Sequence, residues 1–189
     1  MNKSLDIIHD EHRALAAMLS GLRTLVANIE AGRIKPDFDL MASMLRYIDE
    51  VPEVVHHPKE DQYLFAKLRQ RSPEALAVIE QLEAEHLQGK ARMQALRDAL
   101  AAYRQTGEAG FAGFKMALTV YLEQEWHHMN TEEHKIFPLA RQYLTAEDWA
   151  EIDAAFLANG NPWEGPANQY AALFSKIVNM APAPVGLGG

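Results

Sequence analysis

The chain has 189 residues, of which 48% are hydrophobic and 23% are charged, a composition typical of a globular protein with one main domain and a sizeable core. Its formal net charge of -8 argues against nucleic acid or an anionic membrane surface as a partner, because both require a basic patch. The absence of cysteine excludes disulfides, thiolate metal ligands and a thiol nucleophile.

A long amphipathic helix is predicted from Leu5 to Ile29, where apolar residues recur at spacings of three and four until the chain reaches Gly32. His12 is one member of this apolar stripe, and His9 lies one turn earlier on nearly the same face. A lone histidine on such a stripe is more often a hydrogen-bonded core residue than a metal ligand. The role of His12 therefore depends on what the other helices carry.

A second helical pattern covers residues 40–51 and runs toward the string H-H-P-K-E-D-Q-Y-L-F at residues 56–65. Pro52 and Pro58 interrupt this pattern. A proline inside a helix removes a backbone hydrogen bond and kinks the helix. The segment is therefore either one kinked helix or two abutting helices.

The third helix is predicted to start at Ser72 and Pro73, since proline is favoured at the first position of a helix. Its apolar stripe covers residues 76–103, and His86 interrupts that stripe as His12 does in the first helix. Residues 106–110, which include two glycines, predict a loop.

The fourth helical stripe covers residues 111–132 and becomes polar toward its end. Tyr121, Glu125, His128 and Glu132 lie on one face of this helix. Tyr121 and Glu125 either orient metal ligands or pair with each other as buried polar groups.

A C-terminal extension follows the fourth helix. Residues 145–148 predict a capping box that opens a short helix, residues 161–166 predict a turn-rich linker, and residues around 170–180 predict a last helix before a loose tail. We therefore divide the chain into a four-helix bundle at residues 1–144 and a helical extension with a tail at residues 145–189, which caps the bundle or a partner subunit.

The pattern H-x-x-x-E-[DE]-x-x-[LI]-F occurs twice, at residues 56–65 and 128–137. Residues four apart lie on the same face of a helix, so each copy directs one imidazole and one carboxylate to the same point. These two groups together suit zinc, iron or manganese. A single copy fits a solvated polar helix face equally well, but two copies indicate a centre with two metal ions.

Comparison of the two copies also separates His56 from His57. His57 and Asp61 form a competing pair at the same spacing as His56 and its glutamate. When the copies are aligned, His56 matches His128 and His57 matches Met129. We therefore predict that His56 is a ligand and that His57 at most orients one.

Four long amphipathic helices with short connections predict an all-α fold, an antiparallel up-down-up-down four-helix bundle with a short C-terminal helical extension. Metal sites of such bundles are built from inward-facing side chains, and every helix here supplies at least one candidate. Burying so many polar groups without a partner would cost up to several kcal/mol each, on the order of 2–7, whereas a metal cluster satisfies them. The candidate ligands are His12, His56, Glu60, His86, His128 and Glu132.

These residues resemble the hemerythrin-like family, the HHE cation-binding domains of bacterial type, over roughly residues 5–144. The resemblance rests on H-D-E-H near the start, H-H-x-x-E-D-x-x-L-F, an isolated E-H at Glu85 and His86, and H-M-x-x-E-E-x-x-I-F-P. It implies two iron ions in an Fe–O–Fe unit, bridged by the carboxylates of Glu60 and Glu132, with the six candidates as ligands. Zinc or manganese is an alternative to iron.

The function that the resemblance implies is binding or sensing of a small diatomic ligand, O2 or NO, at a non-heme di-iron centre. Oxygen-carrying members have a second histidine where this chain has Lys90, which argues against simple oxygen carriage. A lysine there either hydrogen-bonds a bound anion or extends into solvent. A metal-binding, O2- or NO-responsive protein is favoured over a dedicated enzyme.

Three alternatives stay open. They are a di-iron oxidoreductase, a factor for iron–sulfur or nitrosative-stress repair, and a metal store or zinc-binding structural bundle. The expected partner is a small molecule, with no nucleic acid and no membrane, and a homodimer is an open option. We expect a cytoplasmic protein, because the sequence has no apolar leader and no stretch of roughly 18 apolar residues.

Overall fold

The computed structural model describes residues 3–50 and 52–158, and every regular element within those ranges is helical. The predicted all-α class is therefore confirmed. The α-helices are α1 Lys3–Glu30, α2 Phe38–Glu50, α3 His57–Lys59, α4 Ala66–Arg71, α5 Leu76–Thr106, α6 Glu108–Thr131, α7 Phe137–Tyr143 and α8 Ala146–Leu157. The predicted linker, last helix and tail lie outside the described residues.

The core consists of two apolar clusters. Cluster A is formed by the later part of α1, by α2, by the later part of α5 and by α6, and its buried side chains include Leu19, Met44, Leu45, Leu96 and Phe114. Cluster B is formed by the first turns of α1 and α5, by residues 64–75, by residues 136–144 and by α8, and its buried side chains include Ile8, Phe65, Leu82, Ile136 and Phe156.

A polar layer separates the two clusters. In α1, Ile8 belongs to cluster B and Leu15 to cluster A, and the buried His12 lies between them. Three further chain segments pass from one cluster to the other, and each has buried polar residues at the crossing. These residues are His56 and Glu60, His86, and His128 and Glu132. The fold therefore collects the six predicted ligands at one level.

Only Gly107 separates α5 from α6. The connection is therefore shorter than the loop predicted at residues 106–110. Gly107 has a φ of 61°, a conformation that glycine adopts without steric cost. Gly110 faces the preceding helix so closely that a Cβ atom there would lie 2.7 Å from Cα of Tyr103. This tight contact holds α5 and α6 side by side.

Residues 52–71 are helical without interruption and contain π-helical turns, and the helix ends at Ser72, whose backbone is extended. π-Helical turns occupy Pro52–His56 and Glu60–Phe65, and a 3-10 turn at Pro73–Ala75 leads into α5. The second repeat copy also enters a π-helical turn at its glutamate, Glu132–Ile136. π-Helical turns inside α-helices are frequent at functional sites, and here they hold both glutamates of the repeat.

Helix α8 begins with the predicted capping box, which the structure confirms. The backbone N–H of Asp148 donates to Oγ1 of Thr145, and the backbone N–H of Thr145 donates to Oδ2 of Asp148. Nε of Arg71 donates to the same carboxylate at 2.8 Å, which ties α8 to the end of α4. Phe156 of α8 is fully buried in cluster B. Within the described part of the chain, no helix has the length and hydrophobicity needed to cross a membrane.

Candidate metal centre

Two fully buried carboxylates form the middle of the polar layer. They belong to Glu60 and Glu132, the glutamates of the two repeat copies, and each residue is 0% exposed. None of their four oxygens accepts a hydrogen bond. A buried ionised carboxylate is costly unless a positive group or a metal compensates it. The oxygens of both residues therefore need cationic partners in the centre of the fold.

Glu132 directs its two oxygens to imidazoles of different helices. Its Oε2 lies 3.0 Å from Nε2 of His12, and its Oε1 lies 3.1 Å from Nε2 of His128. Nε2 of His86 is 3.8 Å from the same Oε1. The carboxylate thus stands between α1 on one side and α5 and α6 on the other.

Glu60 divides its oxygens in the same way. Its Oε1 lies 3.3 Å from Nε2 of His56, and its Oε2 lies 3.8 Å from Nε2 of His86. Both glutamates therefore direct one oxygen to each side of the polar layer.

The four imidazoles form two pairs. Nε2 of His12 is 3.3 Å from Nε2 of His56, and Nε2 of His86 is 3.0 Å from Nε2 of His128. Two donors that bind one ion at about 2.1 Å and at right angles lie roughly 3 Å apart. Each pair of imidazoles contributes two nitrogen donors, and Glu60 and Glu132 contribute one oxygen each. Each side of the polar layer therefore supplies four donors at the spacing that a metal ion requires.

Each of these imidazoles donates its Nδ1 proton to a carboxylate on another chain segment. This hydrogen bond orients each ring so that its Nε2 atom faces the glutamates, where it can bind a cation once its proton is displaced. The pairs are His12 with Glu133 at 2.8 Å, His56 with Glu11 at 2.6 Å, His86 with Asp61 at 2.8 Å and His128 with Glu85 at 2.7 Å.

The four outer carboxylates follow one rule that the sequence analysis missed. Glu11, Asp61, Glu85 and Glu133 are each the immediate sequence neighbour of a predicted ligand. Each one binds the histidine of the next segment along the chain. Glu11 of α1 binds the histidine of the π-helical region, Asp61 of that region binds the histidine of α5, and Glu85 of α5 binds the histidine of α6. Glu133, which follows α6, binds the histidine of α1. We call these four residues the carboxylate ring. The sequence signal for these four residues was an acidic residue directly beside each candidate ligand, in both repeat copies and in the two E-H dipeptides.

The charges of the site perturb its pKa values strongly. Burial works to lower the pKa of His86, but Asp61 and Glu132 outweigh it and raise the pKa to about 9. The pKa of His128 is also raised well above its usual value, because Glu132 and Glu85 outweigh burial. Burial works to raise the pKa of Glu132, and the neighbouring imidazoles hold it well below its usual value. A cation that binds here displaces imidazole protons, so binding strengthens as pH rises.

A model of the hemerythrin HHE cation binding domain family matches residues 3–140 of the chain. The chain belongs to this family. The match confirms the resemblance, and it covers all six residues predicted as ligands. Comparisons with curated proteins and with solved structures found no match.

The hemerythrin HHE domain of this chain brings one further histidine into the site. His57 is buried, and its ring stacks on that of His86 at 4.2 Å and 13°. Potential ligand atoms of His57, Glu60, His86 and His128 lie within 4.8 Å of one another. Burial, together with the charge of nearby imidazoles, lowers the pKa of His57 well below its usual value. The alignment of the repeat did not indicate this placement.

Other polar candidates lie around the centre of the HHE domain. His9 is exposed, and its Nδ1 lies 3.3 Å from Glu133. Lys90 is exposed and lines a surface pocket of about 210 Å³ with His57 and His86. Tyr63 is 36% exposed. Of the two alternatives for Lys90, its exposure favours the one in which the side chain extends into solvent.

Tyr121 and Glu125 are both buried one turn apart on α6. Burial raises the pKa of Glu125, while His128 and Arg92 act in the opposite direction. His127, by contrast, is exposed on the opposite face of the helix. The face predicted to turn inward is therefore the buried one.

A small cavity adjoins imidazoles of both pairs. Its volume is about 10 Å³, and its lining residues are His12, His56, His57, His128, Glu11, Leu15, Tyr47, Pro52 and Met129. A cavity of this size holds about one water-sized molecule. The HHE domain thus has space for a very small molecule beside the candidate ligands.

Proposed function

We propose that this HHE domain is a non-heme di-iron protein that binds or senses a small diatomic molecule, O2 or NO. The observation that carries the proposal is the pair of buried glutamates, Glu60 and Glu132. Their oxygens accept no hydrogen bond, and each carboxylate directs one oxygen to each of two imidazole pairs. A group that faces two donor sets in this way suits a bridge between two cations.

The proposed ligand sets follow from this geometry. His12 and His56 would hold one ion with one oxygen of each glutamate, and His86 and His128 would hold the other with the remaining oxygens. When bound, a di-iron pair supplies a redox-active cationic site for a diatomic ligand. The carboxylate ring orients the imidazoles, and clusters A and B keep bulk water from the donors.

We also propose that the chain forms the antiparallel up-down-up-down bundle predicted for residues 1–144, with residues 145–189 as its extension. The support is the alternating order of the clusters. The chain runs from cluster B to cluster A in α1 and α5, and from A to B before α4 and before α7. Alternate crossings of this kind are what antiparallel neighbours produce.

A zinc-binding structural bundle is the second candidate, and the donor count favours it. Each set has four donors, which is the complete tetrahedral set of a structural zinc site. For iron, which is commonly six-coordinate with nitrogen and oxygen donors, four leave positions for an external ligand. The identity of the metal therefore separates a closed structural site from an open one.

The test is metal analysis of anaerobically purified protein, with optical spectra before and after air and after addition of azide or NO. We expect two irons per chain and a spectrum that responds to air, azide and NO. Two zinc ions and no visible absorption would support the structural bundle instead. A di-iron protein whose spectrum ignores saturating azide and NO would contradict the binding and sensing role.

A further inference from the structure

We propose that the chain forms a homodimer through the surface groove between α1 and α6, with the α6 helices of the two copies antiparallel. The twofold axis would cross α6 at Thr119. The partner is therefore a second copy of this chain. The residues that line this groove do not include any of the candidate metal ligands, so the inference does not depend on the proposed metal function.

The groove between α1 and α6 combines an apolar floor with exposed apolar surroundings. Its volume is about 240 Å³. The buried side chains of Val26, Leu118 and Leu122 form its floor, and the partly buried Trp126 stands at one end. Met116, a neighbour of the groove residues on α6, is 69% exposed. An exposed apolar patch with a polar rim is typical of a protein interaction site.

The charges at the rim of the groove balance each other. Nζ of Lys115 donates to Oε1 of Glu30 at one end. Arg23 and Glu123, both exposed, line the groove about two helical turns away, toward the other end. Each end therefore has one positive and one negative charge, on opposite helices. Since the chain as a whole has a net charge of -8, a balanced face is where two copies can approach each other.

A twofold axis across the middle of the groove makes these charges complementary. With the α6 helices antiparallel and the axis at Thr119, Lys115 faces Glu123 of the partner subunit. The same rotation places Glu30 opposite Arg23 of the partner subunit, because the contact of Lys115 with Glu30 sets the middle of this α1 segment level with Thr119. Each end of the interface then has two positive and two negative charges in alternation, which favours this register.

The sizes of the side chains fit the same arrangement. Ala112 and Trp126 are equally distant from Thr119 along α6, so the small side chain faces the large one of the partner subunit. Oγ1 of Thr119 donates to the carbonyl oxygen of Lys115 at 2.8 Å, so its hydroxyl is satisfied within the chain and its methyl group is available for an apolar contact. Small residues at the contact let two helices pack closely.

Sedimentation velocity of the full-length protein tests the proposal over about 1–200 μM, since a groove of this size predicts a weak interface. We expect a dimer that dissociates on dilution. Lys115→Glu and Glu123→Lys should each weaken self-association about tenfold or more, because each places like charges at both ends. An equimolar mixture of the two variants should dimerise about as tightly as the native chain, since the exchanged charges then face each other.

An introduced thiol tests the position of the axis. The chain has no cysteine, so Thr119→Cys provides a single thiol beside its own copy in the partner, and oxidation with diamide should give a disulfide-linked dimer. Gln124→Cys is the control, because Gln124 is exposed on another side of α6. Its Cα would lie about 15 Å from its own copy along the helix axis, beyond the reach of a disulfide.

A native chain that stays monomeric at every concentration would overturn the proposal. A dimer that tolerates both charge reversals, or variants that mixing does not restore, would reject this interface. Equal cross-linking through Thr119→Cys and Gln124→Cys would reject the position of the axis and, with it, the proposed pairing of charges. None of these results changes the metal content, so the proposed function stands or falls separately.

Discussion

Replacement of Glu132 by glutamine tests the central feature of the proposed site. The variant Glu132→Gln keeps the shape of the side chain and removes its charge. The carboxylate is 0% exposed, and its oxygens lie 3.0 Å from Nε2 of His12 and 3.1 Å from Nε2 of His128. Because it faces both imidazole pairs, its loss should affect both metal ions.

The expected magnitude follows from the number of donors. A structural four-ligand zinc site binds with roughly 10–16 kcal/mol, which is about 3 kcal/mol for each donor. Since 1.4 kcal/mol corresponds to about a tenfold change in affinity, removal of one donor weakens binding by roughly 100-fold. Two cations that no longer share this anion also repel each other. Glu132→Gln should therefore hold about one ion under conditions in which the native chain holds two.

Anaerobic equilibrium dialysis against Fe²⁺, followed by metal analysis, measures this loss. The variant His134→Ala is the matched control, because His134 is exposed and belongs to the same repeat copy. It should bind two ions with native affinity. A folded Glu132→Gln protein that also binds two ions with native affinity would refute the assignment of Glu132 as the shared carboxylate.

Three further predictions concern the surroundings of the site. Glu85→Gln should weaken metal binding by about 10- to 100-fold in a competition titration, because Glu85 orients His128. Phe156→Ala should lower the free energy of unfolding by about 3–5 kcal/mol in urea denaturation, since Phe156 is fully buried. Arg71 lowers the pKa of Asp148 from 3.8 to about 2, so their interaction stabilises the fold above pH 3.8 and is lost as pH falls through 2. In urea denaturation Asp148→Asn should cost about 1 kcal/mol at pH 7, allowing for solvent screening, and less at pH 3.

The inward faces of the long helices were predictable because hydrophobic periodicity depends on one helix at a time. His12 and His86 interrupt apolar stripes, and the structure buries both between the clusters. The internal repeat identified Glu60 and Glu132 for the same reason, since residues four apart share a helix face. The ligand role of these residues stays a prediction, and their convergence on one polar layer is what the structure adds.

The carboxylate ring and His57 were not predictable in the same way. Whether Glu85 reaches His128 depends on how far α5 and α6 are offset along their axes, which local spacing does not specify. That offset is set by the turn at Gly107 and by the close approach of Gly110 to α5. The sequence predicted a longer loop at these positions. His57 lies beside Pro58 and between two π-helical turns, so ordinary helical spacing does not locate its side chain.

The carboxylate ring also makes assembly of the site depend on the whole helical core. Each of the four segments contributes a candidate ligand and, beside it in sequence, the carboxylate that holds the imidazole of the next segment. A segment that moves away therefore removes its own donors and releases a histidine elsewhere. Metal ions that bind only the assembled arrangement stabilise it by mass action, about 4 kcal/mol for each ion at a free concentration of 1,000 times its Kd. Because the polar layer lies between clusters A and B, this stabilisation acts where the apolar core is interrupted.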